Sequence, residues 1–193
     1  MKRNRYVAAL SVLILAVCSF GCGGGNKASS RITVTTTPAT ATVLPGGNQT
    51  FLATVSGTTN RSVSWSLQEG VAAGAITPAG VYTAPASAGT YHAVATSMAD
   101  LSRRGSSTIT VPVVVVVNPA AVTIAKAAKT TITATVTGAT NTSVTWTLRE
   151  GAPAGTITQA GLYTAPGVAG MYHVIATSNA DTTKSATATV TVP

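Results

Sequence analysis

The chain has 193 residues with 12 Lys and Arg against 4 Asp and Glu, a formal charge of +8, yet only 8% of its residues are charged. So sparse a charge leaves no material for long salt-bridged helices, whereas frequent Thr and Val punctuated by Gly and Pro favour short, half-buried strands. Periodic apolar residues exclude a disordered chain, and cations scattered apart from the one close pair, Arg103-Arg104, argue against a nucleic-acid surface. The chain is also written twice. AGVYTAPASAGTYHAVATS at 79–97 returns as AGLYTAPGVAGMYHVIATS at 160–178. Trp65/Trp146, Tyr82/Tyr163, Tyr91/Tyr172 and Asp100/Asp181 share one offset of 81, which holds without a gap from Pro38/Pro119 to Pro112/Pro193. That period exceeds most solenoid units and approaches an autonomous domain, so two complete tandem domains are expected at 32–112 and 113–193.

At the amino terminus Lys2, Arg3 and Arg5 precede the apolar run YVAALSVLILAVCSF and then Gly21-Cys22. The run is short of the roughly 20 residues that a transmembrane helix needs and has the order of a signal segment. Its removal would lower the formal charge from +8 to +5. Both cysteines, Cys18 and Cys22, lie here, so neither repeat can hold a disulfide. This stretch resembles a bacterial lipoprotein precursor, in which a small residue precedes a cysteine that receives diacylglycerol and becomes the new first residue. The resemblance implies a signal peptide at 1–21, lipidation of Cys22 and a flexible tether at 22–31, with the membrane as partner through the acyl chains. Ser19 departs from the family's Leu at that position. The competing LAVC at 15–18 has the Leu but puts Val17 where a small residue belongs. An ordinary secretory signal or an uncleaved anchor are the other readings. Gly23 after the cysteine implies, by the family's sorting rule, an outer-membrane lipoprotein.

Each repeat reads as about seven short strands. In the first, ITVTT (32–36) leads through Pro38 to a turn at Pro45-Gly46-Gly47, and NQTFLATVSG (48–57) puts Phe51, Ala53 and Val55 on one face. SVSWSL (62–67) alternates strictly, so Val63, Trp65 and Leu67 should point inward. A loop with a short strand near Ile76 follows, then GVYTAP ending at Pro85, GTYHAVATS with Tyr91, Ala93 and Ala95 inward, and SSTITV. Turns every 8–12 residues between such strands argue for a β-sandwich. A Trp on the third strand and Gly89-Thr90-Tyr91-His92-Ala93 on the sixth resemble the immunoglobulin pattern of a buried Trp and a G-x-Y-x-C run. Ala93 stands in place of the Cys, with Ala53 at its partner position; Trp146, Tyr172, Val174 and Ala134 repeat the set. The whole pattern is similar to bacterial Ig-like domains of the BIG2, invasin-like type, and implies an all-β chain of two tandem disulfide-free immunoglobulin-like sandwiches. Val111-Pro112-Val113 joins them without a spacer, and the five valines 113–117 suggest a strand covered on both faces.

Chemistry is thin. Beyond the signal the acids are Glu69, Asp100, Glu150 and Asp181, one matched pair per repeat, with Glu69 and Asp100 expected at opposite ends of a sandwich and so too far apart for paired acid–base work. His92 and His173 read as solvent-facing strand residues without metal partners. ATSMAD and ATSNAD offer a single carboxylate each, too few for a strong calcium site. Neither catalytic residues nor cofactors are expected, and the chain is read as a non-enzyme. The expectation is a lipid-anchored cell-envelope protein whose repeats form a surface stalk, adhesion or scaffolding element, with envelope proteins or surface polysaccharide as partners. The alternative is a displayed carbohydrate- or polymer-binding module. Every aromatic has a core position in the alternation, with Tyr82 and Tyr163 the weakest assignments and hence the candidate sugar platforms.

Overall fold

The computed structural model describes residues 31–193. The signal segment, Cys22 and the tether through residue 30 lie outside the described residues. The first repeat holds β1 (Thr33–Thr37), β2 (Thr40–Thr42), β3 (Asn48–Thr50), β4 (Leu52–Ser56), β5 (Val63–Leu67), β6 (Ala75–Ile76), β7 (Val81–Thr83), β8 (Gly89–Ser97) and β9 (Arg104–Val111). The second repeats the series as β10 (Val114–Asn118), β11 (Ala121–Thr123), β12 (Lys129–Thr131), β13 (Thr133–Thr137), β14 (Val144–Leu148), β15 (Thr156–Ile157), β16 (Leu162–Thr164), β17 (Gly170–Ser178) and β18 (Ser185–Val192).

One sheet of the first repeat runs β2-β9-β8-β5, with β2 parallel to β9 and the other neighbours antiparallel. The other layer consists of the pair β1-β4 and the trio β3-β7-β6. β3 and β4 are one strand interrupted at Phe51, whose N–H donates to Gly80 O at 2.8 Å. The chain passes between layers at the cis Thr37–Pro38 bond, where the buried Ser107 hydroxyl donates to Pro38 O at 2.7 Å. The second repeat has the same order, β11-β18-β17-β14 over β10-β13 and β12-β16-β15. This is an immunoglobulin-like β-sandwich made twice, with no cysteine in either half.

The period of two in the sequence decides which side chains fill each sandwich. Phe51 and Tyr82 from one layer meet Tyr91, Ala93 and Ile109 from the other in a single cluster. Ile132, Tyr163, Tyr172, Val174 and Val190 do so in the second repeat. Tyr91 and Tyr172 tie their strands to the preceding loops, their hydroxyls donating to Ser87 O at 3.1 Å and Val168 O at 3.0 Å. Tyr82 and Tyr163 are fully buried and donate to Ala73 O and Ala154 O, pinning the short 3-10 turns that follow β5 and β14. The pair read as weakest is therefore the most deeply set, and neither ring can serve as a sugar platform.

The valine run is not covered on both faces along its whole length. β10 is hydrogen-bonded only to β13, and of its valines Val117 is buried while Val116 is 56% exposed. Alternation is confined to the end of the run, since Val113, Val114 and Val115 are all half-buried.

Candidate functional site: an indole-lined cleft in each repeat

Trp65 and Trp146 depart from expectation in the opposite direction to the tyrosines. Each indole lies between the layers, but neither is fully buried. The reason is positional. β5 and β14 are the outermost strands of their sheets, and the facing edge strands, β6 and β15, are only two residues long. A wide side chain at such an edge is covered on one side alone. Phe51 packs against Trp65 at a centroid distance of 6.4 Å and itself meets Tyr82 edge-on at 6.3 Å. The open side of the indole forms a cleft.

In the first repeat that cleft is lined by Ser62, Val63, Ser64, Trp65, Ile76, Pro78 and Met98 and measures about 400 Å³. Val144, Trp146, Gln159 and Ser143 line its counterpart, about 330 Å³. Both sit at the small end of the range for ligand pockets. Gly80 sets the rim. It closes the Thr77–Gly80 turn with φ +79°, and a Cβ there would fall 2.3 Å from Phe51 O and 3.1 Å from the indole nitrogen. Gly161 repeats this with φ +81° and 2.1 Å to Ile132 O. The two clefts differ in polarity. Where the first has Pro78, the second has Gln159, whose amide donates to Val144 O; the position of Met98 is taken by Asn179, which bonds Ser143 and Thr145 and does not line the second cleft. Met98 is 52% exposed, so the first cleft keeps an open apolar wall.

The histidines are not lone strand residues. Glu69 accepts the His92 backbone N–H at 2.9 Å and meets His92 Nδ1 at 2.7 Å; Glu150 does the same to His173 at 3.0 and 2.6 Å. Desolvation pushes each glutamate pKa up, but the imidazole and backbone hydrogen bonds outweigh it and hold both carboxyls below their ordinary range. The recurrence of both a Glu and a His at these positions in the second repeat was the available signal. Asp100 and Asp181 cap the β8–β9 and β17–β18 turns, held below the ordinary range chiefly by the hydroxyl and N–H of Ser102 and Thr183. His92 and Ser97, at the foot of the Asp100 turn, are five residues apart on one strand, roughly 17 Å. Glu69 and Asp100 therefore sit towards opposite ends of the sandwich, as expected. Among the described residues no three His, Cys, Asp or Glu converge as metal ligands.

No protein-family model matches the chain, and no curated protein matches it. Solved structures of similar layout include mouse cadherin-23 EC22-24, at 15% identity and TM-score 0.36 over 85% of this chain and 65% of that one. Sidekick-1 immunoglobulin domains 1-4 align at 11% identity and TM-score 0.37, over 84% of this chain and 49% of theirs. The S-layer protein rSbsC(31-844) aligns at 15% identity and TM-score 0.33, over 85% and 28%. The chain thus spans less than two thirds of each of these three.

Proposed function

We propose that this is a non-enzymatic, lipid-anchored envelope protein, joined to the membrane through Cys22, whose two BIG2-type immunoglobulin-like repeats, 32–112 and 113–193, form a surface stalk or adhesive scaffold. The observation that carries the reading is the join between repeats. β9 runs through Pro112 and Val113 straight into β10, and Ala88 N–H donates to Gly138 O at 2.7 Å across the junction. Gly138, at φ +87°, lies so close that a Cβ would come 2.6 Å from Pro112 O. A tandem fixed by backbone contacts suits a part whose task is to hold a distance. The amino-terminal pattern around Cys22 supports an outer-membrane address. Labelling cells with radioactive palmitate tests the anchor: label should enter the protein and be lost in Cys22→Ser, and retention of label in that variant would refute it.

The first-repeat cleft favours a second reading, a displayed module that stacks a sugar or polymer unit on Trp65. Pro78→Gln with Met98→Asn copies the residues of the second repeat and so should fold. Saturable binding on a glycan array that disappears in this variant would favour the module over the stalk.

A further inference from the structure

All four Lys and Arg residues between 31 and 112 are arginines: Arg31, Arg61, Arg103 and Arg104. The fold gathers them at one end of the first repeat. Arg31 immediately precedes β1, and it lines one groove together with Arg103 and Arg104 at the start of β9. Arg61 lies in the β4–β5 loop, which is tied to the β8–β9 turn through Met98 N–H and Ser62 O at 2.9 Å. Arg31, Arg61 and Arg104 are exposed. Among the described residues only Arg103 has an acidic partner, Asp100 at 3.4 Å.

The second repeat provides the comparison. Its equivalent end faces the first repeat, and there the same positions are Pro112, Thr142, Lys184 and Ser185. Three of four charges are absent where this end meets a protein neighbour. The charge therefore belongs to the end at which the chain enters from residue 30, not to the fold. Nine positions separate Arg31 from Cys22, a span of at most about 32 Å fully extended and less as a flexible coil.

We propose that this end of the first repeat binds anionic phospholipid headgroups and seats the protein against the membrane that holds its anchor. The guanidinium fork matches phosphate oxygens in pairs. A basic cluster within a Debye length of an anionic surface gains about fivefold in partition per arginine. With Arg103 partly neutralised by Asp100, the other three give a preference on the order of a hundredfold. The geometry rests on the Cys22 reading above, and the two can fail separately, since palmitate labelling is indifferent to the arginines.

The test uses the chain from residue 22 onward with Cys22→Ser, so that no acyl chain contributes. Its co-sedimentation is measured with phosphatidylcholine vesicles containing or lacking phosphatidylglycerol. Binding should require phosphatidylglycerol, weaken as salt is raised, and fall to the neutral-vesicle level in the variant with Arg31, Arg61, Arg103 and Arg104 all changed to Gln. A control with Lys126→Gln, Lys129→Gln and Arg149→Gln removes charge elsewhere and should bind like the parent. Equal partition of the fourfold variant and the parent, or an equal loss in the control, would overturn the proposal. Unchanged melting of both variants establishes that they are folded.

Discussion

A carboxylate that accepts from both a ring nitrogen and a backbone N–H ties a loop to a strand, and Glu69 and Glu150 do this for the loops that follow the tryptophan strands. Because their folded pKa values lie below the ordinary range, the sign of the linkage is fixed. Their contribution is complete above the usual glutamate range of about 4.3 and is lost as pH falls through it and below. Asp100 and Asp181 act in the same direction. The melting temperature should therefore drop as pH falls below about 4, and Glu69→Gln with Glu150→Gln should flatten that slope; parallel slopes in parent and variant would contradict the pairing. Tyr82 makes a different kind of bond. Burial, with Tyr91 and Glu69 adding to it, pushes its hydroxyl up to about 12, and its partner is the carbonyl of buried Ala73. Tyr82→Phe should lose about 1–3 kcal/mol in denaturant unfolding, because it strands that carbonyl.

At the scale of the element, the β6–β7 turn shows how a short connection determines what a neighbouring strand exposes. Thr77-Pro78-Ala79-Gly80 closes with Gly80 N–H on Thr77 O at 2.9 Å, and Gly80 in turn receives Phe51 N–H. Gly80→Ala meets both a left-handed backbone and a carbonyl 2.3 Å from the new carbon. It should cost roughly 3 kcal/mol or more, and chemical denaturation of an otherwise native-like variant reads that loss directly. Much of this level was legible in the sequence, since alternation in SVSWSL and GTYHAVATS reports which face of a strand is dry. Alternation reports a face, however, not what lies beyond it. It could not say that β6 would end after two residues and leave Trp65 half-covered, nor that Tyr82, on a strand only one residue longer, would be enclosed from every side. The pairing of Glu69 with His92 was hidden for a related reason. It depends on how a loop folds back over a strand, and only the recurrence of both residue types in the second repeat pointed to it.

For the whole molecule, the question is whether two sandwiches linked by one proline move as one. The junction puts the backbone of Gly138 against Pro112 and Val113 and adds the bond from Ala88. A side chain at 138 would push these apart, but it would also strain a residue at φ +87°. Gly57 separates the two effects, because it holds the equivalent place in the first repeat with φ +81° and lies away from the Pro112 junction. Gly57→Ala should lower stability by about 1–3 kcal/mol and leave the alignment between repeats untouched. Gly138→Ala should incur the same strain and, in addition, loosen the alignment. Residual dipolar couplings read the difference: one alignment tensor should fit both repeats in the parent and in Gly57→Ala, whereas Gly138→Ala should need two. If one tensor serves all three proteins, the contact at Gly138 is not what fixes the tandem. The stiffness that a stalk requires would then have to come from Pro112 and the continuous strands alone.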